Sequence, residues 1–436
     1  RSDMSRAEEF YLGTQALGYL DPEIERVTKG RIRPVNINLA RMAIETLSQR
    51  LKVVGFRSSV GEIVDSQLQS LWRANSMAEQ SELAQRDCLI YGRAYFMCWA
   101  DMNGAPVVTA ESPLQVSVAR DPLTRRVIAG LKRWLDEDGY AHSLLITEDV
   151  IVEYRSRTTS AYDVIANSHF IAGTYEAQIV GEQLEKIREE SNPLGVVPIV
   201  PLVNRRRLGD FDGDSELSDL YDLLQAIGKM ATDMLTASEY SASPRRWATG
   251  LAPAGVTAEQ LKEIEDRVRE RWESAHASKF LITSSPDAKL GAFPTADLST
   301  YRTGLEFLIG MVGAISGLPP YYVNGSTLNP VSADSIRASE ARLTSKAEQR
   351  QTWWSGAYED LMRLAVFVRD GRPATDLQDL ETVWADPEPS TIAQSADAEA
   401  KLLAAGITDR RAALEAMGYS PLDVERILQT TPEVIA

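Results

Sequence analysis

From Ser332 to Asp370 the chain has no proline and one glycine, Gly356, and this run follows a segment, GLPPYYVNGSTLNPV at Gly317–Val331, that holds three prolines. A stretch that long without a breaker predicts one continuous helix. Ser332 stands where an N-cap belongs, and Asp334 in the first turn faces the positive end of the helix dipole. At ~1.5 Å per residue, a helix over Ala333–Asp370 is roughly 55–60 Å long, and any fold must accommodate it. Pro319 and Pro320 fix φ and cannot donate backbone hydrogen bonds, so the preceding helix must stop before them. Asn324-Gly325 supplies a turn. The junction reads as mechanical, not catalytic.

Two further helical patterns precede it. In DSELSDLYDLLQAIGKMATDMLTASEY, from Asp214, apolar residues recur at helical spacing, and six acidic side chains stand against one basic residue, Lys229. Over Asp297–Ser316, Tyr301, Leu305, Leu308, Val312 and Ile315 share one seam. Gly304, Gly310 and Gly313 each cost this helix roughly 1 kcal/mol against alanine, which makes sense where another helix packs very close. Between the two helices lie a strand-like RRWATGLAP, a charged helix from Thr257 to about Ala277, and a strand, KFLITSS. Upstream, Asn38–Leu51 and Glu62–Ala84 show helical periodicity. From Ala94 the period shortens: YFMCWA, PVVTA, LQVSVA, RRVIAGLKRWL, AHSLLIT and DVIVEYR read as an antiparallel meander. A proline-punctuated connector from Asn192 then marks a domain boundary. Beyond Asp370 follow a strand, ETVWADP, and two short helices, Ser395–Ala405 and Asp409–Met417. The fold class is α+β.

Composition excludes more than it assigns. The chain has 436 residues and a net charge of −16, and residues 370–436, with 13 acidic and 5 basic side chains, carry half of that excess. Apart from Arg205-Arg206-Arg207 and Arg245-Arg246 there is no basic stripe, so tight, salt-dependent DNA binding is not expected. An acidic wall repels phosphate instead of trapping it. No run reaches the ~20 apolar residues of a membrane span, and RSDMSRAEEF lacks the apolar core of a signal peptide; the expectation is a protein made inside a cell with no membrane partner. Cys88 and Cys98 match no zinc spacing and read as small buried hydrophobes. His142, His169 and His276 are scattered and read as surface or structural residues. There is no phosphate-binding glycine loop. Asp210–Asp214, DFDGD, has its glycine too early for a calcium loop and reads as the acidic start of a helix. No catalytic, cofactor-binding or metal-binding set is identified.

Four stretches, NPLGVVPIVPLVNR at Asn192–Arg205, DLLQAIGKMATDMLTASEYSASPRRWATG at Asp222–Gly250, ISGLPPYYVNGSTLNPVSADSIRASEARL at Ile315–Leu343 and VWADPEPSTIAQSADAEAKLLAAGI at Val383–Ile407, occur in one order and at one set of separations. Together they resemble the portal protein of tailed bacteriophages, in the form carried by siphophages of Gram-positive hosts. The resemblance implies a portal fold assembled as a ring, commonly of twelve subunits. It implies an α/β wing at 1–208, a first stem helix within 209–240, a small α/β clip at 241–295 and a second stem helix at 296–316. A tunnel loop at 317–331, the long wing helix with a returning strand at 332–386, and a short helical crown at 387–436 complete it.

The same resemblance implies a non-enzymatic conduit in the virion, at the capsid portal vertex, assembled in the host bacterial cytoplasm. Its implied partners are further copies of itself, double-stranded DNA passing through the channel during packaging and ejection, the terminase large subunit, a head-completion or adaptor protein, and major capsid and scaffolding proteins. Pro319, Pro320, Tyr321, Tyr322, Asn324, Thr327 and Asn329 would face DNA, although Tyr321 and Tyr322 could equally pack on the wing helix. Arg245, Arg246 and Trp247 would dock the motor or adaptor, unless the arginines pair with Glu239 or Glu263. Gly304, Gly310 and Gly313 would pack stem helices. The competing readings are a monomeric cytosolic helical scaffold and a two-carboxylate hydrolase.

Overall fold

The helix that organises the chain carries a buried seam, Glu340, Leu343, Ala347, Arg350, Trp354, Tyr358, Leu361 and Ala365, spaced three and four residues apart. The computed structural model describes residues 2–16, 35–58, 62–157, 184–242, 246–249, 257, 259–260, 262–263, 266, 289–292, 297–323, 333–388, 392–419 and 421–430. In chain order the elements are α1 (Ser2–Leu12), α2 (Leu39–Ser48), β1 (Val53–Arg57), α3 (Glu62–Ala74), α4 (Met77–Tyr91), β2 (Arg93–Ala100), β3 (Pro106–Glu111) and β4 (Val116–Arg120). There follow β5 (Val127–Leu135), β6 (Ala141–Thr147), β7 (Val150–Ser156), β8 (Leu184–Ser191), β9 (Ile199–Val203), α5 (Tyr221–Ala242), β10 (Arg246–Thr249) and β11 (Lys289–Ala292). The last are α6 (Leu298–Ser316), α7 (Pro320–Val323), α8 (Ala333–Asp370), β12 (Glu381–Trp384), α9 (Ile392–Ala404), α10 (Arg410–Ala416) and α11 (Pro421–Thr430).

The chain divides into two units, one of Arg1–Ala16, Asn36–Gln225 and Leu308–Ala436, the other of Leu17–Val35 and Ala226–Phe307. In the first unit β3-β2-β9 form a three-stranded sheet and β4-β5-β6-β7-β8 a five-stranded one, antiparallel throughout. Tyr95 and Ile199 on the small sheet, with Val197 just before β9, pack with Val116, Ile146 and Ile151 on the large one. On its other face the small sheet meets α4 and α8. There Phe96 and Tyr358 lie 5.5 Å apart, and Phe56, Trp72 and Trp384 extend the aromatic cluster. Trp354 donates its indole N–H to Val203 O at 3.0 Å, which joins α8 to the end of β9.

Tyr358 is fully buried, and its hydroxyl accepts from Gln85 Nε2 at 2.8 Å. Tyr358→Phe keeps the ring contacts but leaves that amide without its partner, so an expected cost is about 1–3 kcal/mol. A shift of the urea midpoint, followed by tryptophan fluorescence, measures it; no shift would show that the hydrogen bond is not stabilising.

The structure corrects several expectations. The helical pattern over Glu62–Ala84 is two helices: Ser76 takes φ 50°, while Asn75 donates its side-chain amide to Leu71 O and accepts Val108 N–H at 2.8 Å. The meander is split between two sheets, and β8, LEKIREES, is a strand that no apolar alternation announced. The connector from Asn192 contains a strand, β9, whose Pro201 is tolerated at a sheet edge. The helix expected from Asp214 begins at Tyr221. Asp214 N–H donates instead to Asn204 O and Glu216 N–H to Leu89 O, so DFDGD lies in turns before the helix and not at its start. A third C-terminal helix, α11, joins the two expected. The strand KFLITSS lies outside the described residues, as does most of the helix expected at Thr257–Ala277.

Candidate channel loop and its anchors

Helix α6 stops at Ser316 because Gly317 turns into the left-handed region, at φ 81°, and closes the helix with bonds from Gly317 N–H and Leu318 N–H to Gly313 O at 2.9 and 3.0 Å. A Cβ on residue 317 would lie 3.3 Å from Lys346 Cδ, so this turn is pressed against α8. Lys346 donates to Ser316 O at 3.0 Å, one of the carbonyls that a helix end leaves without an intrahelical partner. The prolines then do more than stop a helix: Pro320 occupies the first position of the short helix α7, where its fixed φ is favourable. The start of the expected loop is therefore helical. Pro319 is buried and Pro320 exposed.

Tyr321 and Tyr322 stand edge to face, 4.8 Å between ring centroids, and both hydroxyls donate to Glu340 Oε1 on α8, that of Tyr322 at 3.4 Å. Glu340 is only 3% exposed, and Arg50 Nη2 lies 3.1 Å from its other oxygen. Burial and the bond to Glu340 push the Tyr321 phenol up, so it remains a hydrogen-bond donor. The Tyr322 ring is 39% exposed even so, presenting an aromatic surface beyond the anchored hydroxyl. Asn324, Thr327 and Asn329 lie outside the described residues.

Lys346 belongs to a second buried cluster. Its ammonium is 2.9 Å from Glu216 Oε2, Arg350 pairs with Glu216 Oε1, and Asn204 bonds both Glu216 and Arg350 at 3.2 Å. Burial alone would raise the Glu216 pKa, but the Lys346 and Arg350 cations overcome it and hold the carboxyl at about 2, against an ordinary 4.5. The folded value is depressed, so the stabilisation is complete above about pH 4.5 and lost as pH falls towards 2. By linkage it amounts to roughly 3 kcal/mol. The difference in urea midpoint between wild type and Glu216→Gln should therefore shrink steadily from pH 5 to pH 2.5; a constant difference would contradict this role.

The predicted packing glycines separate into three environments. A Cβ at Gly304 would meet Met230 Sδ of α5 at 2.8 Å, so these two helices approach closely within the second unit. A Cβ at Gly313 would meet Val323 Cγ2 of α7 at 3.1 Å. At Gly310 nothing lies within 4 Å, and on the same helix Phe307 and Met311 are 67% and 40% exposed. Arg246 and Trp247 fall on β10, opposite Ala292 and Gly291 of β11, while Arg245 lies outside the described residues. Sequence reasoning missed Glu216, Lys346 and Arg350. The available signal was a charged residue, Arg350, on the apolar seam of a long helix. Among the described residues, no group of His, Cys, Asp and Glu could hold a metal ion, and no helix is long and apolar enough to cross a membrane. Cys88 and Cys98 are both buried and free, and burial pushes both thiols up.

This arrangement ties the described start of the loop to the long helix α8. The portal proteins of Mycobacterium phages D29 and L5 are 29% and 28% identical over 417 and 420 residues, covering 92% of this chain and 80% and 79% of theirs. Among solved structures, a chain in the neck of a native GTA particle computed with C12 symmetry superimposes with TM-score 0.51 at 12% identity, over 92% of this chain and 95% of its own. One in the neck of an empty GTA particle computed with C6 symmetry gives 0.52 at 14%, over 93% and 95%. The family described as "Phage portal protein, SPP1 Gp6-like" matches residues 1–419, and the chain belongs to that family.

Proposed function

We propose that copies of this chain close into a ring, twelve in number as in the C12 neck of the similar structure, around a channel through which double-stranded DNA enters the capsid and later leaves it. The observation that carries the reading is the family match across residues 1–419. The family is structural, which favours a conduit over a hydrolase. In this reading residues 241–295, with Arg245, Arg246 and Trp247, form the clip that docks the terminase large subunit and then a head-completion adaptor. The wing at 1–208, the wing helix at 332–386 and the crown at 387–436 lie among capsid and scaffolding proteins at the portal vertex, after assembly in the host cytoplasm. Residues 209–240 and 296–316 supply the stem.

The loop at 317–331 faces DNA in this reading, with its base tied to α8. The Lys346 bond to Ser316 O and the two tyrosine bonds to Glu340 support it, since a loop in contact with moving cargo needs fixed ends. The described part of the loop, Gly317–Val323, carries no Lys or Arg, so it presents bulk without trapping phosphate. Electron microscopy of the purified protein is expected to show rings with a central hole. A species that stays strictly monomeric at high protein concentration would overturn the proposal.

A further inference from the structure

In the first unit, the turn between β4 and β5, the chain around β9 and the outer side of α8 enclose a half-open cleft of about 730 Å³. Five arginines line it, Arg120, Arg125, Arg126, Arg206 and Arg207, against two carboxylates, Glu148 and Asp360. In a chain of net charge −16 this is a local reversal of sign. Among the described residues, no carboxylate lies within ion-pair distance of Arg126, Arg206 or Arg207. The guanidiniums of Arg125 and Arg206 sit 5.7 and 5.3 Å from the Phe211 ring centroid, so one aromatic ring engages two like charges. Arg125 adopts φ 61° and Arg120 donates to its carbonyl at 3.3 Å; an arginine stands where glycine or asparagine would be less strained. Burial and the neighbouring Arg206 cation push the Arg120 pKa down, with Asp212 acting in the opposite sense.

The cleft is not simply basic. Between the arginines Val196, Pro201 and Val203 form an apolar floor, and Trp353, 41% exposed, forms a wall. A small anion would leave that floor wet. Duplex DNA is convex and offers phosphates but no side chain to fill a concave apolar pocket. A carboxylate-rich peptide bearing a bulky apolar residue satisfies both halves: carboxylates take the guanidinium forks bidentately, and the apolar side chain covers the floor against the tryptophan. All five cations are arginine and none is lysine, which favours planar, bidentate recognition. We propose that this cleft docks an acidic, aromatic- or aliphatic-bearing segment of a partner protein. The acidic remainder of the chain would direct such a segment to this basic recess.

The test uses the full chain and a fluorescein-labelled synthetic peptide of glutamates and aspartates with one central tryptophan, read by anisotropy. Combining Arg206→Glu and Arg207→Glu, both at exposed positions, is expected to weaken binding about 10-fold or more, and Trp353→Ala several-fold. Replacing the peptide's tryptophan by serine should weaken binding like Trp353→Ala, and ring formation should be untouched. Three outcomes would overturn the proposal. The double variant could bind as wild type does; duplex DNA could displace the peptide with the same arginine dependence and no dependence on Trp353; or the double variant could lose rings, which would make the cleft an interface between copies. The inference does not rest on the ring reading, since the peptide can be titrated against whatever assembly state the protein adopts.

Discussion

Glu216→Leu is expected to destabilise the first unit by about 3–5 kcal/mol, because it leaves the buried Arg350 cation and the half-buried Lys346 cation without their carboxylate. Arg350 is 3% exposed and cannot turn to solvent without disturbing the seam that Trp354 and Tyr358 continue. The cost is that of an uncompensated buried charge and not the net worth of the cluster. A triple replacement, Glu216→Leu with Lys346→Met and Arg350→Met, should therefore recover most of it, because apolar groups of similar volume often substitute for a buried ionic cluster. Urea denaturation followed by tryptophan fluorescence measures both steps. A single replacement costing less than about 1 kcal/mol, or a triple no better than the single, would refute this account. The recovery has a functional side as well. Lys346 also holds Ser316 O, so the triple variant should be stable and yet have a looser base to the loop at Gly317–Val323.

The long helix was legible in the sequence because its signals are local: an absence of breakers from Ser332 to Asp370 predicts the bounds Ala333–Asp370 found in α8. Gly356 is tolerated since it is exposed and nothing packs on it. The C-terminal end of α6 was legible for the same reason, through Pro319 and Pro320. Features set by distant partners were hidden. The break between α3 and α4 depends on Asn75 accepting Val108 N–H from β3. Strand β8 has one buried side chain, Leu184, so pairing with β7 and not an apolar pattern makes it a strand. Glu216 stood among six carboxylates and looked solvated; only the fold brings Lys346 and Arg350, more than a hundred residues away, to its oxygens. The role of the tyrosines was undecided between the channel and the wing helix, and the bonds to Glu340 fix their hydroxyls while leaving the Tyr322 ring partly open.

Gly310→Leu is expected to abolish rings while leaving the chain folded. The three glycines of α6 look alike in sequence, but a side chain added at each meets different matter. At 313 it would press on Val323 at 3.1 Å, so Gly313→Leu should lower the stability of the single chain. At 304 it would meet the end of the flexible Met230 side chain, which can move. At 310 the single chain offers no obstacle, next to an exposed Met311 and one turn from an exposed Phe307. An apolar face with a gap in its middle suits a neighbouring helix that approaches closely there. A leucine would hold that neighbour off at every interface of a closed ring, so a penalty of about 1–3 kcal/mol per contact is repeated around it. The circular dichroism of Gly310→Leu should match wild type and its urea midpoint should be no lower, because a glycine inside a helix has been replaced, while electron microscopy shows no rings; Gly313→Leu should lower the urea midpoint. Intact rings in Gly310→Leu would place the contact between copies on some other face, and the exposed Phe307 and Met311 would then need another explanation.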